Sequence, residues 1–348
     1  MHDISHVHQL WDVASVLCGA DYPMNPAEGF VLGAAFLIHD AGLTAAAYPG
    51  GAEALRATTA YHDLVLLTMR RASPDLEIDS SMIGKPPPEV AERALFDLLR
   101  GLHADRAMSL LDQHYVHPIT NSQFTLVNPD LLLDFGDLIG KIAASHHWDI
   151  KKVDSEFADV TPAVAAYPGW TIDAVKLACI LRTADACAID ERRARTMAFI
   201  IENPRGVSRL HWFFQKNLRP AHLPEGGDAL MFTSKKPFSR DEMDAWWVAF
   251  DAIEVAEREL RASDRLLKRR ARSGNHNNEL PLKAKRIEGA GDAEILASHI
   301  RADGWRPVNT SARIDDPLAI IETLGGASLY GDDHTAGPVA GVVGIWLA

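Results

Sequence analysis

The chain has 348 residues, 47% of them hydrophobic, enough to bury at least one large core. Its formal net charge of −12 excludes a surface coated broadly in nucleic acid, because phosphate binding needs concentrated Lys and Arg. The three cysteines, Cys18, Cys179 and Cys187, lack C-x-x-C spacing, which excludes a disulfide framework and a thiolate zinc site and fits a reducing, cytoplasmic compartment.

No charged-then-apolar leader opens the sequence and no apolar run is long enough to span a bilayer, so a soluble protein without a membrane partner is expected. From Ile4 to Leu17, the residues Val7, Leu10, Trp11, Ala14 and Leu17 recur at three- and four-residue steps and predict an amphipathic helix, with His6 on or beside its apolar face. Asn25-Pro26 offers a cap and a first-turn proline to a second helix, FVLGAAFLIHDAG, apolar nearly all round and so central, ending near Gly42. Ser73 to Pro88 reads as a loop. Helical periodicity returns from Glu89 to about Gln113, with His103 bordering the stripe of Val90, Ala94, Leu98, Leu102 and Ala107. Asn128-Pro129-Asp130 caps LLLDFGDLIGKIAASHH, and Thr171 to Ile189 forms a further apolar helix.

After Asp190 the runs AFIIE, VSRLHWFFQ and ALMFTSK read as short strands of a small sheet inserted at about residues 196–236. A long helix follows from about Arg240 to Arg270, and SGNHNNELP reads as a linker. The basic cluster of Lys268, Arg269, Arg270 and Arg272, with Lys283, Lys285 and Arg286, reads as a solvated helix end rather than a binding site. The expected class is therefore mainly α, a helical bundle with a small β insertion and a long C-terminal helix.

Fifteen histidines is an unusual number. The sharpest local feature is His39-Asp40 at the end of a buried helix, since burying an imidazole with a carboxylate is costly unless a metal or hydrogen bonds compensate. Alone the dipeptide carries little weight; His62-Asp63 is a second one, with no fitting partners. The ordered set His6, His39-Asp40, His103, His146-His147 and Asp185, each on a predicted helix, carries more.

That order resembles the HD superfamily of metal-dependent phosphohydrolases over roughly Ile4 to Arg193. The resemblance implies an HD-type bundle in which His6, His39, Asp40 and Asp185 are the core metal ligands, Asp40 bridges two ions, and His103 and His146 complete the second position. Such ligands suit one or two divalent ions among Mn, Fe, Co, Ni, Zn and Mg. Two ions would lower the pKa of a bound water and stabilise charge on phosphoryl oxygens during in-line displacement.

Several assignments stay open on the sequence. His8 competes with His6, which has the better spacing to Leu10 and lies nearer the start of the apolar face. His146 and His147 diverge by about 100° on a helix, so one is expected to ligate while the other faces substrate or supports a ligand. His103 reads either as a ligand or as a surface histidine. Lys141 and Arg182, five and three residues before His146 and Asp185, are candidates for phosphate binding or for pairing with carboxylates. The expected catalytic set is Asp40, His147, Lys141 and Arg182.

The segment GWRPVNTSARIDDPLAIIETLGGASLYGDD also resembles the lead-in found where HD modules precede a GHKL-type ATPase domain in bacterial proteins proposed to act in defence or chaperone-like roles. After Asp333 the chain reads HTAGPVAGVVGIWLA, without an ATPase helix, its Asn or a Gly-rich lid, and a truncated or frame-altered product is expected. The organisation expected is an HD-type domain over 1–272, a linker over 273–290 and a truncated lead-in over 291–348. The expected function is hydrolysis of a nucleotide or other phosphoester, with a phosphate-containing small molecule as partner; nucleic acid is not favoured and the oligomeric state is left open. The alternative is a non-catalytic sensor or regulatory module of an ATPase-linked defence protein.

Overall fold

Helix α9, Ala174–Cys187, is buried along almost its whole length, and the other elements are arranged around it. This computed structural model describes residues 4–73, 77–117, 119–158, 161–162, 169–194, 207–272 and 281–308. The chain divides into Met1–Pro307 and Val308–Ala348, and nearly all of the second part lies outside the described residues. The protein is mainly helical, as the periodicity predicts.

Helix α1, Ile4–Cys18, buries Leu10, Val13, Ala14 and Leu17, the stripe expected from sequence. Helix α2 runs Pro26–Ile38; Asn25 accepts from Glu28 N at 3.0 Å while Glu28 Oε2 accepts from Asn25 N at 3.1 Å, closing a capping box. Both helices pack against α9. The short helices α3, Gly51–Arg56, and α5, Ser80–Gly84, flank α4, Thr59–Ala72. The 22-residue α6, Pro88–Ser109, serves two cores: Ala94, Leu98 and Leu99 pack with Tyr61, Val65 and Met69 of α4, whereas Ala107 joins the main core. Helix α7, Pro129–Ala144, is capped by Asn128, and a 3-10 turn, Ser145–His147, continues it before α8, Ile150–Glu156.

Two glycines let these helices approach closely. A Cβ on Gly42 would lie 2.6 Å from the His103 carbonyl oxygen, and one on Gly140 would lie 2.6 Å from that of Met108. The first holds the 3-10 turn Ala41–Leu43 against α6; the second seats α7 on α6. Larger residues there would push apart the elements bearing Asp40, His103 and His146.

The strands are two-residue pieces: β1, Tyr115–Val116, with β2, Gln123–Phe124; β3, Thr161–Pro162, with β4, Thr171–Ile172; and β5, Ala229–Leu230, parallel to β6, Arg286–Ile287. In the expected β insertion, AFIIE lies outside the described residues and VSRLHWFFQ is helix α10, Val207–Asn217. Leu210, Phe213, Phe214 and Leu218 all pack on the core at three- and four-residue spacing, and that stripe outweighs the β propensity of the aromatic residues. Of ALMFTSK, Ala229 and Leu230 form β5.

A capping box of Ser239 and Glu242 opens a 3-10 turn that leads into α11, Met243–Arg272. Within the sequence's linker, residues 273–280 lie outside the described part, but Leu282, Ala284 and Ile287 are buried beside α11. Helix α12, Ala293–His299, follows, and Trp246 of α11 donates its indole N–H to the Ile300 carbonyl at 2.7 Å. The basic residues here are largely engaged within the protein: Arg269 with Asp154, Lys268 and Lys285 with Asp264, and Arg286 with Glu288. No helix among the described residues is long and apolar enough to cross a membrane.

Candidate metal centre

Five separate elements deliver the charged and imidazole groups. His6 comes from α1, His39 and Asp40 from the end of α2, His103 from α6, His146 and His147 from the turn after α7, and Asp185 from α9. Adjacent helical residues diverge by about 100°, so His39 and Asp40 share a centre only because the helix stops between them. His39 caps it with helical dihedrals, and Asp40 breaks away at φ −104°, ψ 1°. The second helix therefore ends at Ile38, four residues before the Gly42 end expected from sequence.

Asp40 sits between two groups of donors. Its Oδ2 is 3.0 Å from His39 Nε2 and 3.8 Å from His6 Nε2, and Asp185 Oδ1 lies 3.4 Å from His6 Nε2 and 3.9 Å from His39 Nε2. Its Oδ1 is 3.4 Å from His103 Nε2 and 3.8 Å from His146 Nε2. Each of the sets His6, His39, Asp40, Asp185 and His103, His146, His147 places one ligand atom per residue within 4.8 Å of the others, which is compatible with holding a metal ion. Atoms bound about 2.0–2.2 Å from one ion stand about 3–4.2 Å from each other, so the observed spacings need only slight contraction.

The histidine tautomers point the same way. Nδ1 of His39, His103 and His146 each faces the carbonyl oxygen three residues earlier, Phe36, Arg100 and Ala143, at 2.9, 2.7 and 2.6 Å. A carbonyl only accepts, so Nδ1 carries a proton in each ring and Nε2 is the nitrogen turned to the clusters, where it offers a lone pair whenever the ring is neutral. His103 Nε2 and His146 Nε2 are nevertheless 3.0 Å apart. Two lone pairs at that distance repel unless a proton or a metal ion lies between them. Nε2 of His39 and Oδ1 of Asp185, shut off from solvent, also lack a well-formed hydrogen bond among the described residues. The donor set fits a divalent cation of borderline character, and all three cysteines lie outside both clusters.

Electrostatics separates the roles. Burial disfavours the His39 cation, but the Asp40 and Asp185 carboxylates outweigh it and push this imidazole up to about 10. Burial, aided by the charge at His39, lowers His146 to about 4, so its Nε2 lone pair stays open to a Lewis acid. Burial opposes ionisation of Asp185, yet His39, His6 and Arg193 hold its carboxyl well below the usual range. His147 is exposed at the rim, its ring centroid 4.4 Å from that of His103, and burial of its ring with the neighbouring His103 lowers its pKa.

Of the two N-terminal candidates, His6 is buried in the cluster and His8 is exposed on the opposite side of α1. His103 is buried against Asp40, not on the surface. Two expected phosphate-binding residues are engaged elsewhere: Lys141 pairs with Asp137 at 3.2 Å and Glu156 at 3.3 Å, and buried Arg182 is held by Glu259 and by the Ser145 and Trp148 carbonyls. Neighbouring carboxylates and carbonyls claim the donors of both side chains. Arg193 is the basic residue that lies beside Asp185. Its Nη2 lies 3.5 Å from Asp185 Oδ1, and Nη1 donates to the Ala188 carbonyl at 3.1 Å. Nothing in the sequence distinguishes it from Arg192, which pairs with Asp190 and Asp12. His62 and Asp63 join neither cluster.

Neither the curated proteins nor the solved structures contain a significant match to this chain. A family model described as HD-CE matches residues 1–262, a span that holds every residue of both clusters. The chain carries an HD-type domain and belongs to the HD-CE family.

Proposed function

We propose that this protein is a metal-dependent phosphohydrolase acting on a nucleotide or another phosphoester, with Asp40 bridging two divalent ions. The observation that carries this reading is the division of Asp40: one oxygen faces His6 and His39, the other His103 and His146. His6, His39 and Asp185 would hold the first ion with Asp40, and His103 and His146 the second. Divalent ions so placed lower the pKa of water and neutralise charge on phosphoryl oxygens.

The chain's own residues supply the rest. Arg193, part exposed beside Asp185, offers a guanidinium fork to a substrate phosphate. His147, at the rim, has its pKa lowered by burial of its ring and by His103, which favours the neutral ring and suits it to accept a proton from an attacking water. The three Nδ1–H to carbonyl bonds lock the ligand rings against rotation. The resemblance of Gly304–Asp333 to a GHKL lead-in supports the further reading that the module belongs to an ATPase-linked bacterial defence protein; residues 309–333 lie outside the described part.

The test is metal analysis of the purified protein with phosphatase and phosphodiesterase screens in Mn, Co, Ni and Mg. Bound metal and turnover that both vanish in Asp40→Ala support the proposal. A folded protein that binds no metal and cleaves no phosphoester overturns it, and nucleotide binding without turnover, unchanged in Asp40→Ala, identifies a sensor instead.

A further inference from the structure

Arg182 is 5% exposed, and each nitrogen of its guanidinium donates within the protein. Nη1 donates to the carbonyls of Ser145 and Trp148, and Nε and Nη2 donate to Glu259 Oε2 at 3.2 and 2.9 Å. Those carbonyls bracket His146 and His147. Ser145 opens the three-residue 3-10 turn at the C-terminal end of α7 and Trp148 caps it, a place where carbonyls lack partners within the helix and the dipole favours a cation. Within the turn, Trp148 N donates to Ser145 O at 3.0 Å and Ser145 Oγ to Ile142 O at 2.7 Å. Arg182 stands one turn before Asp185 on α9, and Glu259 lies on α11. One side chain thus joins the helix bearing a ligand of the first cluster to the turn bearing the second, with its orientation set from a third helix.

We propose that Arg182, anchored by Glu259, is a positioning residue that fixes the Ser145–His147 turn and thereby sets the second metal position without touching substrate or metal. The metal part of this inference rests on the two-ion reading; the positioning of the turn does not.

The test uses the full chain in three variants: Glu259→Gln, Arg182→Lys and Arg182→Met. Two readouts are followed alongside circular dichroism. The first is the histidine-ring ¹⁵N spectrum of chelator-treated protein. In the wild type His146 holds the single Nδ1–H tautomer that its bond to Ala143 imposes. In Glu259→Gln and Arg182→Met its two ring nitrogens move toward averaged shifts, while those of His39 on α2 stay in place. Lys carries one point charge and cannot span both carbonyls in the Arg geometry, so Arg182→Lys recovers the wild-type pattern only in part. The second readout is titration with Co²⁺, where the weaker binding step loses about 10–100-fold in affinity and the tighter step changes less than about threefold.

An unchanged His146 spectrum in folded Glu259→Gln overturns the inference, as does equal disturbance of His39 and His146, which would mark a general loosening. Should Arg182→Met fail to fold, Glu259→Gln decides, because Glu259 is partly exposed. A wild type that binds no Co²⁺ removes the two-ion reading, and the ring spectra still decide the clamp.

Discussion

Nε2 of His103 and Nε2 of His146 stand 3.0 Å apart although both rings spend their Nδ1 proton on a backbone carbonyl. Neutral rings in that arrangement repel. A proton or a divalent cation between α6 and the turn after α7 would relieve that repulsion, and Asp40 Oδ1 faces the same space. Single replacements His103→Ala and His146→Ala are expected to reduce bound metal by about one equivalent while leaving the His6, His39 and Asp185 position loaded. Elemental analysis after gel filtration gives the stoichiometry. Loss of all metal in either variant would count against two separable positions.

Asp40→Ala removes the carboxylate shared by both clusters, so it should abolish both positions together. Activity is expected to fall by more than about 100-fold, the upper end of what removing a mere supporting partner costs a metal site. The helical circular dichroism signal should persist, since Asp40 lies outside α2 and the substitution leaves its backbone in place. Substituting Asn keeps the size and removes the charge, and an active Asn variant would contradict the bridging role.

Arg193→Ala tests the phosphate-binding role. Its guanidinium is expected to act on bound substrate, so KM for a phosphoester should rise about tenfold or more, with metal stoichiometry unchanged. Arg192→Ala is the matched control, because Arg192 is taken up by Asp190 and Asp12. Equal effects from the two replacements would reduce both to surface charge.

Most members of the two candidate clusters are legible in the sequence because His39, His103, His146 and Asp185 all border apolar stripes of helical period. The caps Asn25-Pro26 and Asn128-Pro129 were legible for a local reason: cap chemistry is decided within four residues. What stayed hidden depends on distant partners. Arg182 points to Ser145, Trp148 and Glu259, residues up to 77 positions away in sequence. Residues of VSRLHWFFQ are strand-prone singly and became a helix because α11 offers a face for their stripe. The burial of Leu282, Ala284 and Ile287 has no signature in the sequence, because three apolar residues in a polar setting carry no period.

Gly42 has no room for a side chain, since its Cβ would meet both the carbonyl oxygen and Cα of His103 within 2.7 Å. Gly42→Ala should destabilise the fold by about 1–3 kcal/mol, the usual cost of overpacking, seen as a lower urea midpoint with an unchanged slope. It should also weaken the second metal position, because the displaced backbone is that of a ligand. Gly101→Ala provides the comparison: nothing lies within 4 Å of its Cβ, so relief of a helical glycine is expected to stabilise by up to about 1 kcal/mol. A neutral Gly42→Ala would mean that α6 and the turn after Asp40 separate easily.

The pair Lys176 and Glu28 ties the start of α9 to the start of α2, away from the ligands at the other ends of both helices. Lys176 Nζ lies 2.7 Å from Glu28 Oε1 and 2.8 Å from Oε2, and also donates to the Pro23 carbonyl at 3.0 Å. Glu28 accepts in addition from the backbone N–H of Asn25 and of Asp173, each at 3.1 Å, so its carboxylate organises two helix starts at once. Both side chains are buried. Lys176→Met leaves that carboxylate buried without its cation, and removing one partner of a buried pair costs about 3–5 kcal/mol. Adding Glu28→Gln removes the stranded charge and keeps an acceptor, so the double variant should be more stable than Lys176→Met alone. At about 1.5 Å per residue, Glu28 lies roughly 16 Å along α2 from His39. Metal affinity of the folded fraction should therefore match the wild type, and a loss of metal that tracks the loss of stability would show that the two ends of α2 and α9 are coupled.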